Sequence, residues 1–430
     1  MSTVYKSLII SPNPDKSIKT YNPGYMAISD NGKIEEIREE NLHNKYKGYE
    51  FVDLSNYLII PGLIDIHNHL PQYAFAGIGD KELLPWLENY TFPREKTFEN
   101  KEIARESAKI FFSDLLKNGT TTSVTYVTIH KNAADIAFQE AEKAGIRAVI
   151  GKVNMDQNSP EFLTENTEKS INETKELAEK WHGKENRLFY VVTPRFAVSC
   201  SLDLMQELGK IAQKSDYFIQ SHLSENRGEI DFVKKLFPES QSYTDVYEKA
   251  GLLGPKTIMA HCIHCNEEET EILAKTRTII AHCPTSNRFL KSGIMPLRKY
   301  LEKGLRIGLG TDVAGGYSLS MFNEMKEAIE NSKYYQVFVD KKTEPITPAE
   351  AFYLATLGGA EVLGFENETG SLEKGKNADL VVVDYKKTDP ENGEGLYNEP
   401  EQILSRLIYR GGEQSIKEVY IKGQKVVKFA

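Results

Sequence analysis

Residues 57–77 read YLIIPGLIDIHNHLPQYAFAG: an apolar, β-branched run that ends on two histidines one residue apart, followed by a proline, a glutamine and aromatics. In a strand, side chains at i and i+2 share a face, so His67 and His69 project together from the end of this run. Seven more short runs of the same character follow. They are TTTSVTYVT (120–128), IRAVIGKVN (146–154), LFYVVTP (188–194), YFIQSHL (217–223), KTIMAHC (256–262), TRTIIAHC (276–283) and LRIGLGT (305–311). Between most of them lie stretches of helical period, such as KNAADIAFQEAEKA (131–144) and SLDLMQELGKIAQK (201–214). Eight strands separated by crossovers long enough to hold a helix predict an α/β fold, a closed (β/α)8 TIM-like barrel.

The flanks read differently. YMAISD (25–30), a turn at Asn31-Gly32 and KIEEI (33–37) form a hairpin pattern, and KEVYIKGQKVVKF (417–429) repeats it at the other end. Both ends are short of helix signals. The expectation is a small composite β-sandwich domain built from residues 1–60 and 366–430, with the catalytic barrel, 61–365, inserted between them. A single helix over 347–363, TPAEAFYLATLGGAEVL, would join them, with Thr347 as N-cap and Pro348 at its first position. The charge-rich 166–186 segment reads as a solvated helix face.

Composition narrows the function classes. The chain has 430 residues, 40% hydrophobic and 27% charged, and a formal net charge of −9, so no excess of Lys and Arg exists to neutralise phosphates. Neither nucleic acid nor an anionic membrane is expected as a partner; a small polar molecule is. No run of 18 apolar residues occurs, and the first residues, MSTVYKSLIISPNPDKS, lack the pattern of a secretion signal. With only four cysteines and no disulfide-like framework, a cytoplasmic location is expected. Cys262 and Cys265 form a CxxC without a second pair, which reads as structural or incidental.

Barrel enzymes carry their active sites at the C-terminal strand ends. His67 and His69 end the first run, His222 the fifth, His261 the sixth, and Asp312 follows the eighth; Glu225 lies three residues past His222. Neutral imidazoles and a carboxylate on one rim suit a catalytic metal centre, which keeps coordination positions open. Not all five of these strand-end groups need be ligands.

HxH after PGLID, a strand-five His, a strand-six His and an Asp in GTD together resemble the metal-dependent amidohydrolase superfamily. The resemblance spans nearly the whole chain, including GSLEKGKNADLVVVD (370–384) in the tail. The stretches HNHLPQYAFAG, WLENYTFPRE, TPRFAVSCS, QSHLSEN, AHCPTSN and IGLGTDVAGGYSLSM are closely similar to its guanine deaminase branch. Two-metal members place a lysine at the end of strand four; here that position reads LFYVVTPRF, which favours a single metal.

The resemblance implies one divalent ion, zinc or else iron, held by His67, His69, His222 and Asp312. It implies that Glu225 shuttles a proton, that His261 orients the attacking group, and that Asp312 accepts a proton while ligating. Guanine, with acceptors at O6 and N7 and a donor at N1, would be read by Arg195 and Gln72, with Phe196 in ring contact. A homodimer is implied as well, and the aromatic segment 73–93 is expected to close over the base as a lid. Two other readings compete. One is a deaminase or dehalogenase of another substituted heterocycle, such as 8-oxoguanine, a pterin or a triazine; the other is a non-catalytic assembly module on the same scaffold.

Overall fold

The computed structural model describes residues 2–391 and 397–428. Eight parallel strands, Leu63–His69, Thr120–Tyr126, Arg147–Gly151, Leu188–Pro194, Phe218–Leu223, Thr257–His261, Ile279–His282 and Arg306–Leu309, pair each with the next in sequence order. They correspond one to one with the eight apolar runs. The ring closes just past the last strand, where the Asp312 N–H donates to the His67 carbonyl at 2.8 Å. Helices separate most successive strands, as the crossover geometry requires.

The first run divides between two sheets. Glu50–Pro61 pairs in parallel with Thr3–Pro12 and antiparallel with Leu380–Val383, and only beyond Gly62 does the chain enter the barrel. A β-carbon on Gly62 would lie 2.0 Å from the Thr121 hydroxyl oxygen, so the crossing from one sheet to the other requires glycine. The termini meet in one seven-stranded sheet that includes both predicted hairpins. Tyr5, Ile9, Met26, Ile59, Leu380 and Val382 form its own buried cluster.

Two expectations need correction. The helix over 347–363 is two helices, Pro348–Leu354 and Leu357–Leu363, broken at Thr356. The Thr347 cap is present, with Glu350 completing a capping box. The break frees the Ala355 carbonyl to accept the Ile64 N–H at 2.9 Å, so the helix is interrupted where it secures the first barrel strand. The tail also holds a helix, Pro400–Arg410, whose Ile403, Leu404, Leu407 and Ile408 are buried; Pro at its first position and this apolar spacing were readable signals. The helix Thr167–Trp181 presents the expected charged outer face and packs Ser170, Thr174, Leu177, Ala178 and Trp181 on its inner one. Among the described residues, no helix is long and apolar enough to cross a membrane.

Candidate metal centre and base pocket

The rim groups expected from the sequence converge. Ligand atoms of His67, His222, His261 and Asp312 all lie within 4.8 Å of one another, and all four residues are buried. His69 joins them: its Nε2 is 3.2 Å from Asp312 Oδ1 and 3.2 Å from His222 Nε2. His67 Nε2 is also 3.2 Å from that same Oδ1. Three imidazole nitrogens thus face one carboxylate oxygen or each other at a distance that a shared cation would explain.

The hydrogen bonds fix the tautomers in the same sense. His222 Nδ1 lies 2.7 Å from the Arg195 carbonyl oxygen, which can only accept, so Nδ1 carries the proton and Nε2 keeps its lone pair. Neither ring nitrogen of His67 has a hydrogen-bond partner of acceptable geometry, although the residue is fully buried. A buried polar atom left orphaned is costly, and a ligated metal ion removes that cost. Burial holds the imidazoles neutral, as ligation requires: it pushes His69 down to about 3 against the opposing Asp312 carboxylate, and burial first and the neighbouring imidazoles second hold His222 well below the usual histidine range. Burial alone would raise Asp312, but the adjacent His67 and His69 hold its carboxyl well below the usual carboxylate range. The donor set therefore fits a divalent metal ion.

The backbone around these groups is strained. Ser224, His261, Cys262 and Asp312 all have positive φ, between 46° and 75°, a conformation that side-chain-bearing residues adopt at a cost and that clusters at functional sites. Asp312 Oδ2 accepts from Ser286 at 2.5 Å, and Asp65 ties the first strand end to the eighth by accepting from Thr311 N and Oγ1.

The amidohydrolase family model matches residues 58–426. The chain belongs to the amidohydrolase family. It is 41% identical to the guanine deaminase of Rattus norvegicus over 94% of this chain and 92% of that one. It is 36% identical to the guanine deaminase of Escherichia coli K12 over 96% and 94%. Among solved structures, guanine deaminase from C. acetobutylicum with guanine bound in its active site superposes with a TM-score of 0.94, at 40% identity, covering 99% of this chain and 100% of that one.

Within this amidohydrolase, the metal centre forms one wall of a small cavity of about 30 Å³. His69, His222, Glu225 and Asp312 line that wall; Gln72, Arg195 and Phe196 line it too, and Leu83, Trp86, Leu87 and Leu290 supply apolar surface. Glu225 is buried, its Oε2 3.3 Å from His261 Nε2 and its Oε1 within reach of the Ser292 hydroxyl at 3.4 Å. Burial first, and then the charges of Asp312 and Glu229, raise its carboxyl well above the usual carboxylate range. His261 Nδ1 faces Asn287 Oδ1 at 2.8 Å, which aims Nε2 at Glu225 and, at 3.7 Å, at Asp312.

All nine sequence-derived site residues are thus gathered at this one wall and cavity. Two groups escaped the sequence reading. Glu95, buried in the stretch Phe92–Lys96, holds Arg195 Nη1 with both carboxylate oxygens, at 2.8 and 2.7 Å. Its signal was present within WLENYTFPRE but attached to no strand end. His282 ends the seventh barrel strand, buried, with Nδ1 unpartnered; AHCPTSN carried it in plain view.

Proposed function

We propose that this chain hydrolyses guanine to xanthine and ammonia as a step of purine catabolism. The observation that carries the reading is the cavity itself, with Arg195 and Gln72 beside a three-histidine, one-aspartate cluster and a buried Glu225. The full-length similarity to guanine deaminases supports it.

His67, His69, His222 and Asp312 would hold one divalent ion, which we infer to be zinc, with iron suiting the same three imidazoles and carboxylate. When bound, the ion supplies Lewis-acid activation of a water, lowering its pKa from ~15.7 toward ~7. Glu225 takes one proton from the water, reaching the neutral form its dry surroundings favour, and hands it to the ring nitrogen beside C2; the second proton, from the new C2 hydroxyl, passes by way of Asp312 and Glu225 to the amine, which departs as ammonia. His261, fixed by Asn287, orients the attacking oxygen, and Asp312 accepts a proton in turn. Arg195 donates to the guanine acceptors, Gln72 pairs with the N1 donor, and Phe196 packs at the ring edge.

We infer a homodimer as well, supported by an exposed apolar patch in which Phe338 is 76% and Val339 63% accessible. Four unpaired cysteines fit a reducing cytoplasm.

The decisive experiment assays ammonia release from guanine, adenine, cytosine and 8-oxoguanine by metal-quantified wild type and Glu225→Gln. Guanine alone should be converted, and the substitution should cost ~10²–10⁴-fold in kcat with metal retained. Metal-loaded wild type that leaves guanine untouched would overturn the proposal.

A further inference from the structure

The base-reading groups come from distant parts of the chain: Gln72 follows the first barrel strand, and Arg195 follows the fourth. Both face the same carboxylate, that of Glu95. Glu95 takes Arg195 Nη1 on both of its oxygens, and the Gln72 side chain lies close enough to help hold its carboxyl down against burial. The pair is almost fully buried, with side-chain exposures of 3% for Arg195 and 1% for Glu95. The Phe92 ring, one turn earlier in the same segment, lies 5.5 Å from the guanidinium.

We propose that Glu95 is a positioning residue for substrate recognition, setting the donor and acceptor pattern that Arg195 and Gln72 present to the base. This rests on the guanine deaminase reading above and extends it to a residue that need not touch the substrate. An ionised carboxylate only accepts, so the Gln72 amide is favoured with its NH2 turned toward Glu95. Its Oε1, which also accepts a long bond from the Ala314 N–H at 3.4 Å, is left as the acceptor offered to a ligand. On Arg195, Nη1 is committed to Glu95, while Nε and Nη2 make no hydrogen bond to any described residue. The cavity therefore meets one fixed acceptor and a fixed edge of donors. Guanine, with its N1–H donor and its O6 and N7 acceptors, matches that pattern. 2,6-Diaminopurine keeps the same 2-amino group but reverses the pattern at N1 and C6, and is mismatched.

With an amide at position 95, both oxygens no longer bind the guanidinium and the Gln72 amide can turn over. A hydrogen bond to a charged group contributes about 1.5–3 kcal/mol, so Glu95→Gln should raise KM for guanine ~10- to 100-fold. kcat should change far less, because the metal ligands and Glu225 are untouched. A structural role alone would not move two further readouts. The ratio of guanine KM to the inhibition constant of 2,6-diaminopurine should shift at least about tenfold toward the diamino base. In an Arg195→Ala background, the effect of Glu95→Gln on KM should shrink by more than half.

Because a buried, unpaired arginine can cost the fold, Glu95→Asp is measured alongside. It keeps the charge but is one methylene too short to hold both partners, and its KM should fall between those of wild type and Glu95→Gln. Wild-type KM and discrimination in both variants, or fully additive effects in the Arg195→Ala background, would overturn the inference. If wild type does not deaminate guanine at all, it is the proposed function that has failed.

Discussion

The backbone N–H of Asp312 donates to the carbonyl oxygen of His67 at 2.8 Å, so the bond that closes the barrel joins two residues of the metal cluster. Closure and assembly of the site are thus one structural event. Asp65 reinforces the seam from a fully buried position, accepting from His67 N, Asn68 Nδ2, Thr311 N and Thr311 Oγ1. Asp65→Ala leaves those donors without their acceptor, and each unsatisfied buried group costs about 1–3 kcal/mol. Urea denaturation should therefore show a loss of about 3 kcal/mol or more, and metal analysis a lower content per chain. A variant with unchanged stability and full metal content would show that the seam does not organise the site.

A pH effect follows from Glu324. Burial raises its carboxyl to about 8 from the ordinary 4.5, against the opposing hydrogen bonds from Thr285 and Asn323. The folded state therefore binds this proton more tightly than the unfolded state. The stability it contributes is complete below pH 4.5 and is lost as the pH rises toward 8. The slope in this window approaches ~1.4 kcal/mol per pH unit. Glu324→Gln cannot ionise, so its stability should decline less than that of wild type between pH 5 and 8. Parallel stability curves for the two proteins would refute the assignment.

The CxxC reading is tested by thiol chemistry. Cys200, Cys262 and Cys283 are buried and Cys265 is half-buried. Burial pushes the Cys200 thiol up to about 12 and holds those of Cys262 and Cys283 well above the ordinary range. A thiol reagent should therefore modify one cysteine per native chain quickly and all four after unfolding. Cys262→Ala should leave the metal content unchanged; loss of an equivalent would mean that the pair binds metal.

The sequence disclosed what repeats along one strand or helix. Strand ends are marked by the apolar runs that precede them, so the sequence alone places His67, His69, His222, His261 and Asp312 on one rim. Glu95 could not. Its partner Arg195 lies 100 residues away on another element, and no periodicity within Phe92–Lys96 says which strand end that carboxylate meets. The break at Thr356 was hidden for a similar reason, since the Ala355 carbonyl leaves its helix to serve Ile64, nearly three hundred residues earlier. Local pattern gives faces and ends; pairings between distant segments are decided only by packing.

Closure over the base remains to be tested, and the geometry says where to look. Leu83, Trp86 and Leu87 line the cavity, and the indole N–H of Trp86 donates to the Ile78 carbonyl at 2.6 Å, tying residues 76–82 to this apolar surface. Ile78 itself is 44% exposed, so the connecting stretch is open to a protease, while Trp86 beyond it packs against Phe75. If the segment acts as a lid, saturating hypoxanthine should slow limited proteolysis within 76–82, because this base retains O6, N7 and N1–H but lacks the amino group to be removed. Trp86→Phe keeps the ring and loses the hydrogen bond, worth about 0.5–1.5 kcal/mol, so cleavage of the free protein should quicken ~2- to 10-fold with weaker protection by ligand. Cleavage rates indifferent to hypoxanthine in both proteins would make 73–93 a fixed wall of the pocket, with ligand entry through some other part of the rim.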